Sequence, residues 1–302
     1  MKKSFTLIEI LVVIVIIGII SAFIIIGMNS ISSSANIAKI KVFSNSLRNS
    51  LLINIMGEWR FDDVSGTEAR DSWSTLDGTL QSFTDTSAGY GDNNASGWMS
   101  SKNCISGTCL KLDTAQYVSV ATVFPAIGDN SFTFEAWAKT DAVDSARHSI
   151  FSLSVSGITN WAGTLDFPHT TTNRALMYIR GSCYRYSLKN INDNEWYHIV
   201  GVFDRSKATP DMYLNGKLDN GVSSSSECAT TGTIPSGTIN LAYNSYKGVV
   251  DEFRAYSAAV PSSKIEQSYC AGLNRLFVNN GLDATEYEQR LGELKSNLTN
   301  NE

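Results

Sequence analysis

Residues 195–219 read "EWYHIVGVFDRSKATPDMYLNGKLD", and their reading decides the fold. The first ten are apolar at odd and even positions alike. Strand side chains alternate between two faces, so this run predicts a central strand covered on both sides in a two-layer fold. The last nine predict a hairpin, because Asn215-Gly216 suits a type I′ turn, whose two central residues both need positive φ. Working outward, "SFTFEAWAKT" (131–140) alternates, with Phe132, Phe134, Ala136 and Ala138 on one face. "KGVVDEFRAYSAAV" (247–260) reads as a late strand running into a turn at Pro261. After Met56 the whole chain has this character: short strands separated by Gly, Asn, Asp and Ser clusters, as in a sandwich or barrel.

Composition narrows the function classes. The 302 residues allow one large domain or two ordinary ones. Charged residues are 18%, below the roughly 25% of soluble domains, and the net charge of −5 leaves no basic footprint for nucleic acid. Residues before 57 are rich in Ile, Val and Leu, whereas Gly, Ser, Thr and Asn dominate afterwards. The chain therefore divides into an anchor and a strand-rich body.

In order along the body stand "GEWRFDDVSGTEARDSW", "DGTL", "GTCLKLDTAQYVSVA", "FTFEAWAKT", "WYHIVGVFDRS", "MYLNGKLDNG" and "VVDEFRAYSAAVPSSKI". Together they resemble the laminin-G-like jelly roll of the concanavalin A-like lectin and glucanase superfamily, over roughly 57 to 271. The resemblance implies a two-sheet antiparallel sandwich whose first and last strands are neighbours. It also implies calcium, a hard cation suited to Asp side chains and backbone carbonyls. Asp62 or Asp63 would then approach Asp251, with Asp71 joining from the following loop. The alternative for these aspartates is a solvated acidic edge.

Glucanases of that superfamily need two carboxyl groups roughly 5 to 10 Å apart on one groove. No E-x-D-x-x-E run occurs, and Asp62-Asp63 and Asp251-Glu252, being adjacent, are expected to face opposite sides of a strand. His198 lies within a strand and reads as structural; His148 and His169 have no nucleophile motif beside them. The sequence thus predicts no enzyme. Carbohydrate binding calls for an exposed aromatic platform with polar groups around it, and Trp161 in "SGITNWAGTLDF" is the first candidate. Tyr184 and Tyr186 in "GSCYRYSL" are next, while Trp59, Trp137 and Trp196 lie in strand motifs and read as core.

The anchor poses a separate problem. Ile10 to Met28 is an apolar run of about 19 residues whose only polar side chain is Ser21, long enough to span a membrane. Lys2 and Lys3 before it set the N-terminus in the cytoplasm. Glu9 stands at its front, where a carboxylate in lipid costs a few kcal/mol. "KKSFTLIEILVVIVIIGIISA" resembles the leader and helix start of type IV pilins and of the pseudopilins of type II secretion. The resemblance implies cleavage by prepilin peptidase between Ser4 and Phe5, with Ser4 standing where the family has glycine. It implies also that the new ammonium of Phe5 on one subunit neutralises Glu9 on a neighbour. Beyond residue 29, Ile31, Ala35, Ala38 and Val42, and again Ile40, Phe43, Leu47 and Leu51, keep helical spacing.

Exported chains favour disulfides over metal-bound thiols. Of the five cysteines, Cys104 pairs with Cys109 across "ISGT" and Cys183 with Cys228, leaving Cys270 free; spacing does not dictate the second pair. The tail "AGLNRLFVNNGLDATEYEQRLGELKSNL" turns helical, broken at Asn280-Gly281, with Asp283 as N-cap of the last helix. The expected organisation is a leader at 1–4, a pilin-type helix at 5–56, a jelly roll at 57–271 and a helical tail at 272–302. The expected function is a filament subunit of the inner membrane displaying a lectin-like adhesive domain, with other pilin or pseudopilin subunits, prepilin peptidase and glycans as partners. A secretion pseudopilin with a purely structural head and a membrane-tethered glycan hydrolase are the alternatives.

Overall fold

The alternation in 131–140 becomes β7 (Phe132–Thr140), whose Phe132, Phe134, Ala136 and Ala138 enter the main core. The computed structural model describes residues 54–296, apart from 94, 103, 141–146, 158–161, 170–172, 181–182, 192–193, 225–227, 229–231 and 244. Chain contacts separate Met1–Ser46 from Leu47–Glu302, and the described residues all belong to the second unit. The expected N-terminal helix lies outside them. Among the described residues no helix is long and apolar enough to cross a membrane.

Two antiparallel sheets form the body. One runs β14 (Lys217–Leu218), β13 (Asp211–Leu214), β12 (Tyr197–Phe203), β7, β17 (Gly248–Tyr256), β5 (Cys109–Leu112) and β4 (Gly97–Met99), with β1 (Ile55–Trp59) also paired to β17. The other runs β15 (Asn220–Ser223), β11 (Cys183–Asn190), β10 (Arg174–Ile179), β9 (Gly163–His169), β8 (Ser149–Ser154), β16 (Gly237–Tyr243), β6 (Tyr117–Phe124), β3 (Gly78–Gln81) and β2 (Glu68–Ala69). First and last strands are neighbours as expected, with Trp59 opposite Phe253. The predicted hairpin joins β13 to β14, and Asn215 and Gly216 take φ of 51° and 78°.

Their inner faces meet in one core holding Trp59, Trp98, Phe151, Phe167, Ile199 and Phe253. β12 is buried along its whole length, as its two-sided apolar pattern required. Its cover on the second side comes from the C-terminal helices α1 (Ser262–Val278) and α2 (Ala284–Ser296), a third layer over the eight-stranded sheet. Tyr269 of α1 stacks on Trp137 at 5.7 Å, and Gly272 lets the helix lie there, because a Cβ would collide with the indole ring. Asp283 accepts the Glu286 amide at 2.8 Å, capping α2 as predicted.

Two expected boundaries shift for packing reasons. β1 starts at Ile55, two residues before 57, because Ile55 pairs with Tyr256 and buries against Val260 and Ile265. α1 runs through residue 271, so the tail is an integral layer of the body. Both expected disulfides are present, Cys104–Cys109 and Cys183–Cys228, and Cys270 is free.

Candidate functional site

The helix-covered face of the eight-stranded sheet holds a buried charge network. His198 Nε2 donates to Glu135 Oε1 at 2.9 Å and the Tyr256 hydroxyl to Oε2 at 2.9 Å; Ser268 of α1 also donates to Oε1. Arg254 reaches Glu58 at 2.8 Å, Glu135 at 3.6 Å and Glu252. Burial pushes the Glu135 carboxyl up, but the His198 ring, Arg254 and the Ser268 hydroxyl outweigh it and hold the group at about 2. His198 is thus structural, as expected. The network is enclosed and ties helix to sheet, so it offers no surface to a ligand.

Asp251 and Glu252 do not face opposite sides. A bulge with Glu252 at φ 50° separates the Asp251–Trp137 pair from the Arg254–Glu135 pair. Both carboxylates therefore turn toward the helix side, where Glu252 meets Arg60, Arg254 and Arg275. Asp251 Oδ2 accepts the amides of Ile105 and Ser106 at 2.8 and 3.2 Å, anchoring the disulfide-closed loop, while Oδ1 is buried without a partner. Burial, Glu252 and Asp62 push the Asp251 carboxyl well above the usual range.

The four aspartates expected to share calcium are not one ligand set. Asp62 does come within electrostatic reach of Asp251, but it accepts the Thr108 amide at 3.0 Å and pairs with Arg60 at 3.2 Å. Asp63 accepts the Arg70 amide at 3.0 Å. Asp71 binds the amides of Glu58, Trp73 and Leu76 and the Ser74 hydroxyl, holding its own loop in shape. Among the described residues no three His, Cys, Asp or Glu side chains group as a metal site. Each carboxylate was free to be drawn off by a nearby amide, a competition invisible in residue spacing.

The outer face of the nine-stranded sheet is different in kind. Successive strand residues alternate, so Cys183 of β11 points into the core and Tyr184 and Tyr186 point out. Their rings meet edge to face at 5.5 Å, both half-buried. On β10, Ala175, Met177 and Ile179 are core, leaving Arg174, Leu176 and Tyr178 outward. Register sets Tyr178 between Tyr184 and Thr164, and Leu176 between Tyr186 and Asp166.

An ion pair holds this face in place. Arg147 donates from Nε to Asp166 at 2.6 Å and from Nη2 to the Thr164 hydroxyl at 2.6 Å, and its guanidinium stands 6.0 Å from the Tyr178 ring centre. The Ser149 hydroxyl donates to the other Asp166 oxygen at 2.7 Å. Burial raises the Asp166 carboxyl despite Arg147 and Ser149, and burial together with Tyr184 and Asp166 raises the Tyr186 phenol. One row further in, the Ser152 hydroxyl is enclosed and unpartnered. Chemically the face offers aromatic rings, phenolic hydroxyls and a fixed guanidinium, a set suited to holding a ligand with apolar faces and hydroxyl edges. It lacks a carboxylate pair: along β8 to β11 Asp166 is the only acidic side chain, and both its oxygens are engaged.

Of the residues read from the sequence, Tyr184 and Tyr186 are brought together here, while Ser4, Phe5, Glu9 and Trp161 lie outside the described residues. Tyr178, Arg147 and Asp166 were missed. "RALMYI" carries a period-two signal that puts Tyr178 opposite the core residues; nothing local marked Arg147 and Asp166, which meet only through strand pairing.

Residues 112–266, just over half of the chain, match the concanavalin A-like lectin/glucanases superfamily, and residues 1–25 match the prokaryotic N-terminal methylation motif. No curated protein matches the chain. Among solved structures, the Trypanosoma rangeli sialidase in complex with sialic acid is similar at a TM-score of 0.51 and 12% identity, over 76% of this chain and 38% of that one. The binding domain of Paraclostridial Mosquitocidal Protein 1 is similar at 0.52 and 14%, over 74% of this chain and 53% of that one. This chain thus spans between a third and little more than half of those structures, and at such identity the likeness is one of fold. With its jelly roll and its N-terminal motif both matched, the chain belongs to the concanavalin A-like lectin/glucanases superfamily and carries a prokaryotic N-terminal methylation motif ahead of that domain.

Proposed function

We propose that this chain is a pilin-type filament subunit whose jelly roll binds glycans outside the cytoplasmic membrane, serving attachment. One observation carries the reading: the two outer faces of the sandwich are unequal. Helices close the face of the eight-stranded sheet, whereas the nine-stranded sheet keeps Tyr178, Tyr184 and Tyr186 half-buried beside the Arg147–Asp166 pair. A sugar would lay an apolar face on a ring and direct hydroxyls to the phenols and the guanidinium. Trp161, next to β9 in sequence, is a further candidate ring. Nothing on this face supports hydrolysis by a pair of carboxylates, since β8 to β11 carry Asp166 alone and both its oxygens are engaged.

The N-terminal motif supports the filament half of the reading. Cleavage between Ser4 and Phe5 leaves the apolar run on the mature protein, and the Phe5 ammonium pairs with a neighbour's Glu9. Prepilin peptidase, the inner membrane and other pilin or pseudopilin subunits are the partners.

The test is a glycan array probed with the full chain in mild detergent, alongside Tyr184→Ala and Trp161→Ala. Tyr184→Ala is expected to lower retention at least ten-fold with a small change in melting temperature, because a half-exposed ring contributes little to the core. Retention unchanged in both variants refutes this face. Reducing-sugar release by the wild type would replace binding with hydrolysis, and a blank array would favour a head with a purely structural role.

A further inference from the structure

We infer that the glycan held on this face is an acidic one, with Arg174 receiving a sugar carboxylate. The inference rests on the glycan-binding reading and names its ligand class. Arg174 points outward from β10, two residues along that strand from Leu176, which pairs with Tyr186 and Asp166; the neighbouring strands bulge between these two positions, so that Arg174 pairs with Asn190 and His169. Its Nε donates to the Asn190 side-chain oxygen at 3.0 Å, a neutral partner, and no carboxylate among the described residues pairs with it. The guanidinium is therefore positioned by Asn190 and keeps its charge for a ligand.

The local charge balance points the same way. The chain as a whole is at −5. Yet the outward side of β8 to β11, with Arg147 just before them, carries Arg147 and Arg174 against Asp166 alone. Asp166 is fully buried with its two oxygens taken by Arg147 and Ser149, so it presents no negative lobe to an incoming anion. Arg185, on the opposite side of β11 with Cys183, is spent on the carbonyls of Pro210 and Gly221 and takes no part in this face. With Arg147 and Asp166 cancelling each other, Arg174 carries the remaining charge of this face among the described residues, and Arg binds carboxylates through paired donors that a neutral hydroxyl does not match.

The experiment compares three immobilised polyuronates, polygalacturonate, alginate and hyaluronan, with the same three after chemical reduction of their carboxyl groups. The full chain in detergent is expected to be retained on at least one acidic polymer. Reduction of that polymer, Arg174→Gln, or a rise in salt should each weaken retention, the first two on the order of ten-fold. Arg174→Gln should leave the melting temperature within error, since Arg174 is partly exposed and forms no buried bond. Equal retention on acidic and reduced forms, or an unaffected Arg174→Gln, overturns the assignment of an acidic ligand while glycan binding stands. No retention on any of the six polymers, with a blank glycan array, overturns both. No retention on the six with a neutral glycan bound on the array overturns the acidic ligand alone.

Discussion

Glu135→Gln probes whether the helical layer is held by charge as well as by packing. The substitution keeps the shape and removes the charge facing His198 at 2.9 Å and Arg254 at 3.6 Å; with a single amide oxygen left, one of the Tyr256 and Ser268 hydroxyls keeps its acceptor and the other must turn to accept from the amide nitrogen. In the folded protein the Glu135 carboxyl lies at about 2, against an ordinary 4.5. At about 1.4 kcal/mol per pH unit, ionisation in this setting stabilises the fold by about 3 kcal/mol. Loss of one partner from a buried pair costs about 3 to 5 kcal/mol, a compatible range. For a domain of this size that is a drop of roughly 6–12 °C in melting temperature at pH 7. The sign with pH follows from the depressed value: the contribution is complete above 4.5 and is lost as pH falls through 2. The gap between wild type and variant should therefore shrink to less than half by pH 3. Thermal melts of the full chain in detergent at pH 7, 5 and 3 measure it. A gap under 2 °C at pH 7, or one that does not narrow in acid, would falsify the claim that charge secures this layer.

Two further outcomes are expected. Asp251 has a raised carboxyl, so its contribution to stability is complete below 3.8 and is lost as pH rises; Asp251→Asn should accordingly gain in melting temperature relative to wild type as pH goes from 3 to 7. A loss at pH 7 that appears only with added calcium would mean that a cation holds the ionised form after all. Glu9→Val should insert in the membrane as well as wild type and fail to assemble, with mature chains beginning at Phe5 by mass spectrometry; wild-type levels of the variant in filaments would refute the pairing of Glu9 with a neighbour's ammonium.

Periodicity and turn chemistry are local, and what depends on them was legible without coordinates. The buried length of β12, the inward set of β7, the Asn215-Gly216 turn and the Asp283 cap each follow from a few consecutive residues. The jelly roll and the N-terminal motif were legible for another reason: several such segments in a fixed order leave few chain paths. Local pattern failed where a backbone irregularity intervened. The bulge at Glu252 turned two adjacent carboxylates to one side, against strict alternation, and no residue type there announces it.

Contacts between strands distant in sequence were decided by tertiary structure alone. Arg147 meets Asp166, and Tyr178 meets Tyr184, because β8 to β11 lie side by side in the sheet; a shift of one residue where Tyr178 pairs with Tyr184 would have turned the tyrosines into the core. The aspartates at 62, 63, 71 and 251 show the converse, since candidates grouped by residue type were dispersed by whichever amide or arginine the fold brought nearest. Sequence by itself determined the strands, the turns and the anchor, whose energetics are settled among neighbours in the chain. Which face the C-terminal helices covered was a tertiary matter, because it depended on where they found apolar surface to bury.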